Sequence, residues 1–170
     1  MMNKGFEVIE AAHLFSVPAE KIEVVIHRES MIHSMVEYID NSIIAQMSVP
    51  DMRLCVQYAL TAPERCAAVI PELDLISVGK MTFAAPDREV FPLLDLAGEM
   101  FSAGGGMPAV LNAADEVAVD AFLKEKIGFL QIAELVGKVC DRCSFAGSAK
   151  TVKELLEVDR LARECAISLI

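Results

Sequence analysis

The sequence predicts an α+β fold, a small sheet with flanking helices followed by a C-terminal four-helix bundle. Three observations carry this. Asp40-Asn41, residue types that tolerate tight-turn backbone, stands between two strand-like runs. Residues 91–170 contain four stretches of helical periodicity separated by short breaks. The chain of 170 residues is 54% hydrophobic and only 24% charged, enough to bury a core.

The elements follow in order. Residues 3–16 predict a helix, because Val8, Ala11, Ala12 and Phe15 recur at three- and four-residue steps and Pro18 stops the run. Ile22–Ile26 is nearly continuous, apolar and rich in β-branched residues, which predicts a buried strand. Ser34–Ile39 and Ser42–Met47 predict a hairpin around Asp40-Asn41. Pro50 stands where the next helix starts, and Met52–Leu60 continues it until Pro63. Residues 63–90 hold Pro63, Pro71, Gly79 and Pro86 without a long periodic run, so they predict a connector with one extended piece at Met81–Ala84. The four bundle helices are Phe91–Ser102, stopped by Gly104-Gly105-Gly106; Pro108–Lys124; Phe129–Cys143; and Thr151–Ile167. The last begins with a capping box, Thr151 as N-cap and Glu154 three residues on. The resulting division is 1–62, a region of helices and hairpin; 63–90, a connector; and 91–170, the helical bundle.

Charge excludes some partners. Fifteen basic against 25 acidic residues give a net charge of −10, which repels phosphate backbones and anionic membrane faces, so neither nucleic acid nor membrane is expected. Mean hydropathy is +0.44, high enough to expect apolar surface covered by a partner subunit or further domain. No uninterrupted apolar run of about 18 residues predicts a membrane span, and the opening residues do not read as a signal peptide. Five cysteines, an odd and dispersed set, predict reduced thiols and a cytoplasmic location rather than a disulfide framework. Cys140-Asp141-Arg142-Cys143 has the CxxC spacing, but no second CxxC or His pair accompanies it, so the two read as incidental helix cysteines.

Four polar clusters could carry chemistry. In the first helix, at about 100° per residue, Asn3, Glu7 and Glu10 form one stripe with Lys4 beside it. A carboxylate suits a hard divalent cation, and a lysine suits a phosphate or oxyanion. A solvated face with an i,i+3 ion pair explains the same pattern. His27 and His33 flank a run at strand ends and could act as ligands or acids, or as hydrogen-bonded edge histidines. Asp51-Met52-Arg53 and Asn112 through Glu116 both fall where acids complement a helix N-terminus.

Taken in order, Met2-Asn3-Lys4-Gly5-Phe6-Glu7-Val8-Ile9-Glu10-Ala11, His27 through Met35, Ala45-Gln46, Pro50-Asp51-Met52-Arg53, Thr82 through Asp87 and Ala109 through Ala114 make the chain resemble the 1-deoxy-D-xylulose 5-phosphate reductoisomerase family over its whole length. The resemblance implies an NADPH-dependent oxidoreductase and isomerase of non-mevalonate isoprenoid biosynthesis. Such an enzyme converts 1-deoxy-D-xylulose 5-phosphate to 2-C-methyl-D-erythritol 4-phosphate with Mg²⁺ or Mn²⁺, as a homodimer. It implies Glu7 as metal ligand, Lys4 and Glu7 as catalytic, Asn3 and Lys4 on substrate hydroxyl and phosphate groups, Glu10 supporting Glu7 from behind, and His33 and Met52 lining the pocket. Three departures stand out: Arg28-Glu29 in place of Pro-Gln, Leu54-Cys55 in place of Thr-Pro, and Asp115 in place of Asn. The family's glycine-rich NADPH-binding turn, remaining metal carboxylates, phosphate-binding serines and tryptophan-bearing lid have no counterpart in the sequence. The expectation is therefore the C-terminal half of such an enzyme, inactive in isolation, with 1–62 a partial catalytic and dimerisation domain, 63–90 the connector and 91–170 the helical bundle. The rival reading is a non-catalytic dimerisation or structural module.

Overall fold

A computed structural model describes residues 1–170. The helices are α1 (Met2–Phe15), α2 (Arg53–Thr61), α3 (Leu75–Val78), α4 (Leu93–Ala103), α5 (Met107–Leu123), α6 (Phe129–Arg142) and α7 (Val152–Ile167). The strands are β1 (Ile32–Glu37) and β2 (Ile43–Met47). The chain forms two compact units. One comprises Met1–Val24 with Asp87–Ile170, the other Val25–Pro86.

The helical unit is built around α5. Val110, Leu111, Ala113, Ala114 and Ala118 are fully buried on it, and α4, α6 and α7 all pack against it. A helix apolar on most sides must be wrapped by neighbours, and its alanines let them approach closely. Val136 and Val139 of α6 and Ala162 and Ala166 of α7 complete the core. Removing the Leu111 side chain to Ala there would cost about 2–5 kcal/mol. The glycine triplet after α4 is required by space as well as by φ. Gly105 has φ 57° and lies so close to Gly147 that an added Cβ would sit 2.1 Å from the Gly147 carbonyl oxygen. The capping box forms as the sequence predicts. Thr151 Oγ1 accepts from the Glu154 N–H at 3.3 Å, and the Thr151 N–H donates to Glu154 Oε2 at 2.9 Å.

The packing divides the chain differently from the boundaries at 62 and 90. The first helix belongs with the C-terminal helices, since α1 packs on α4. Its buried row is Met2, Gly5, Ile9 and Ala12, while Phe15 is exposed. The apolar pattern pointed elsewhere because the closest contact on the buried row is a glycine, which carries no hydrophobic signal.

The second unit contains the antiparallel β1–β2 hairpin. Asn41 adopts φ 64° at the turn, and Asp40 Oδ1 accepts from the Ser42 N–H at 3.0 Å and from its hydroxyl at 2.6 Å. The predicted strand at Ile22–Ile26 does not form. Only Ile26 pairs, in one isolated antiparallel bridge to Ala84, with N···O distances of 2.8 and 3.0 Å. The segment is extended but lacks the continuous neighbour that a ladder needs. Ala84 ends the extended piece expected at Met81–Ala84, and α3 adds a turn of helix to the connector, capped by Asp74.

Candidate active site

Helix α1 turns its polar stripe away from its buried row, the mean directions of the two lying roughly 150° apart around the axis. Both donors on that stripe converge on one carboxylate. Asn3 Nδ2 donates to Glu7 Oε1 at 2.7 Å, and Lys4 Nζ donates to Glu7 Oε2 in a short ion pair. The i,i+4 and i,i+3 spacings make both contacts possible on a single helix. The Lys4 and Glu7 side chains are each 43% exposed, so they are anchored yet open to a ligand. Glu10 follows on the same face and is exposed.

The carboxylate of Glu7 is a hard oxygen donor of the kind Mg²⁺ and Mn²⁺ take, and Lys4 is a point charge within reach of an oxyanion. Nowhere in the chain do three or more His, Cys, Asp or Glu side chains gather in a metal-binding group. Glu7 can therefore supply one ligand of a cation whose others come from substrate, solvent or further protein.

His33 and Met52 lie in the other compact unit. Met52 is exposed at the start of α2, where Asp51 accepts from the Arg53 backbone N–H at 2.9 Å and from its guanidinium at 2.6 Å. That bonding to Arg53 holds the Asp51 carboxyl below the usual range. His33 sits where the register slips. Ile32 pairs with Met47 and Ser34 with Gln46, so His33 is the extra residue of a β-bulge. A bulge re-aims a side chain out of the regular alternation. His33 Nδ1 lies 3.1 Å from Gln46 Oε1, and the ring is exposed.

His27 has a different role. Its side chain is only 6% exposed and stacks on Phe83 with ring centroids 4.8 Å apart. Nε2 accepts from the Met31 N–H at 3.1 Å, which leaves the proton on Nδ1, donated to the Thr82 carbonyl at 3.0 Å. Glu29 accepts from the Thr82 hydroxyl at 2.8 Å and from its N–H at 3.1 Å, and these bonds, with the hydroxyl first, lower its carboxyl pKa. Of the two histidines that the sequence singles out, His27 is thus a buried brace and His33 the exposed one. Neither the bulge nor the tie from Glu29 to Thr82, 53 residues away, leaves a local sequence signal.

Around the Asn112–Glu116 segment, Asn112 Nδ2 donates to Glu116 Oε1 at 2.9 Å. Asp115 is half-buried, and burial pushes its carboxyl up. Cys140 and Cys143 are both buried. Desolvation raises the first thiol to about 12 and the second to about 11. No helix is long and apolar enough to cross a membrane.

The chain is similar to known proteins over its whole length. Residues 47–165 match the DXP reductoisomerase C-terminal domain family. The 1-deoxy-D-xylulose 5-phosphate reductoisomerase of Chlorobium chlorochromatii is 55% identical over 166 residues, covering 98% of this chain and 43% of the relative. That of Chlorobaculum tepidum is 55% identical over 170 residues, covering 100% and 44%. Among solved structures, the Zymomonas mobilis reductoisomerase in complex with NADPH superposes with a TM-score of 0.93 at 48% identity, covering 99% of this chain and 44% of that one. A DOX-P reductoisomerase in complex with magnesium superposes with a TM-score of 0.94 at 40% identity, with the same coverage. The chain thus spans less than half the length of the curated relatives it matches. The motif resemblance, the family match and the structural likeness agree, and the chain belongs to the DXP reductoisomerase C-terminal domain family.

Proposed function

We propose that this chain is the C-terminal portion of a 1-deoxy-D-xylulose 5-phosphate reductoisomerase and contributes one wall of its metal and substrate site. The observation that carries the reading is the convergence of Asn3 and Lys4 on the two oxygens of Glu7. Glu7 is the metal ligand, Asn3 and Lys4 bind substrate hydroxyl and phosphate groups, and Glu10 supports the face. His33, freed from strand alternation by its bulge, and Met52 are the substrate contacts that the family resemblance implies in the second unit. A bound Mg²⁺ or Mn²⁺ would act as Lewis acid and template for the substrate oxygens. The residues of this chain do the rest of the local work. Lys4 holds the Glu7 carboxylate in place, and its remaining N–H donors are free for a substrate anion. Asn3 fixes the second carboxylate oxygen while its carbonyl stays available to a hydroxyl donor.

The residues present do not fit NADPH. The glycine triplet joins two helices rather than a strand and a helix, and the backbone of Gly147 already fills the space beside Gly105. The hydride donor of a reductoisomerase therefore belongs to protein outside these residues. The same reading gives a cytoplasmic homodimer joined through residues 22–47. Val36, Ile39 and Ile44 of the hairpin are exposed apolar residues that support it. They would equally serve the second reading, a non-catalytic dimerisation module.

The test is to follow NADPH absorbance with 1-deoxy-D-xylulose 5-phosphate and Mn²⁺. The chain alone is expected to show no turnover. Joined to the N-terminal portion of the Chlorobaculum tepidum relative, it should restore turnover. An inactive but folded chimaera would favour the non-catalytic reading, and turnover by the chain alone would overturn the assignment of the hydride site.

A further inference from the structure

We infer that Gly5 and Ala97 are positioning residues, a paired glycine and alanine whose close contact sets where α1 holds Asn3, Lys4 and Glu7. The inference rests on the proposed role of that polar stripe, and it concerns residues outside it.

Gly5 is buried in the first turn of α1, adjacent to Lys4 and two residues before Glu7. Glycine there is unfavourable for the helix itself, since it loses more backbone freedom on folding than any other residue. Its use is in the contact with α4. A Cβ built at Gly5 would meet the Ala97 Cβ at 2.6 Å, far inside van der Waals contact. Its other neighbours, the Leu93 carbonyl and the Met2 terminal methyl, would lie at 3.6 Å, which is ordinary contact. Ala97 is itself 1% exposed and cannot swing away, because a methyl on a helix has no rotamer to change. One methyl group at this crossing therefore fits and two do not. A second would push the helix backbones apart, and the backbone that moves carries Lys4 on one side and Glu7 on the other. Displacement of about 1 Å at a reacting centre can cost about 10²-fold in rate.

The methyl group can be moved from one helix to the other. Gly5→Ala should lower the melting temperature of the chain by roughly 3–8 °C and speed amide exchange along the first turns of α1. The swap Gly5→Ala with Ala97→Gly keeps a single methyl at the crossing. It should recover both properties to the level of Ala97→Gly alone. In the chimaera with the Chlorobaculum tepidum N-terminal portion, Gly5→Ala should raise the Mg²⁺ concentration for half-maximal turnover and lower kcat by about 10²-fold, and the swap should restore both. Loss of stability with unchanged metal response would overturn positioning and leave only a packing contact. Failure of the swap to recover either property, including failure of both variants to fold, would overturn the pairing itself. If the chimaera without substitutions is inactive, the proposed function fails instead, and the melting and exchange comparison still decides the Gly5–Ala97 pairing.

Discussion

The guanidinium of Arg163, on α7, donates to Glu116 of α5 at 2.9 Å while also holding Asp159 of its own helix at 2.8 Å. This is a cross-helix tie on the rim of the core, and it lowers the Glu116 carboxyl pKa. The Glu116 side chain is 56% exposed, so solvent and salt screen the pair. We expect Arg163→Ala to cost about 0.5–1 kcal/mol, and less in high salt. A carboxyl held low adds stability above its unfolded pKa and loses it as pH falls through the folded value. Urea denaturation of the variant and parent at pH 7 and pH 3 checks this, with the difference between the two proteins expected to shrink at the lower pH.

Glu7→Gln keeps the shape of the side chain and removes the charge. In the chimaera with the Chlorobaculum tepidum N-terminal portion, turnover should fall by about 10²-fold or more. Thermal stability should change little, because a partly exposed i,i+3 ion pair contributes at most about 0.5 kcal/mol. A Mg²⁺ titration is the measurement, and unchanged metal dependence would remove Glu7 from the ligand set.

Burial of Cys140 and Cys143 predicts protected thiols in the folded chain. Cys55 and Cys66 are exposed and should react with a disulfide reagent at pH 8 within minutes, whereas Cys140 and Cys143 should react only after denaturant is added. Raised thiol values also fix a sign. The unfolded chain releases these protons first, so stability should fall as pH rises from about 9 towards 12. Mass spectrometry of the labelled chain counts the reactive thiols, and denaturation at pH 8 and pH 10 reads the loss of stability.

The hairpin offers a direct test of association. Ile39 and Ile44 lie on β-hairpin surface that a dimer would cover. Sedimentation velocity at micromolar concentration should show a dimer for the parent and a monomer for Ile39→Lys with Ile44→Lys. A parent that is monomeric throughout that range would count against residues 22–47 as the interface.

The sequence was most legible where local rules and packing agree. The Thr151 and Glu154 pair marked the start of α7 to the residue, and Asp40-Asn41 marked the hairpin turn. The polar stripe of α1 was also readable, because helical spacing alone brings Asn3, Lys4 and Glu7 together. Features set by distant partners were not readable. The Ile22–Ile26 run had every mark of a strand except a neighbour to pair with. The bulge at His33 depends on a slip against Gln46, 13 residues away, and neither residue type announces it. Assignment of α1 to the C-terminal helices hinged on Gly5 meeting Ala97, a contact between two residues that hydrophobic patterning ignores.

The bridge between Ile26 and Ala84 has a consequence for how the gene can be rearranged. The stretch Val25–Pro86 leaves the helical unit and returns with its two ends hydrogen-bonded to each other. Its topology is that of an inserted module, spliced into a chain that otherwise runs from α1 directly to α4. A tether of a few residues between Val24 and Asp87 could take its place, and excision would shorten the closure that α1 must make to reach α4, easing the entropic burden of that pairing. We expect the module to be exchangeable between relatives as a cassette while α1 and the four C-terminal helices stay together.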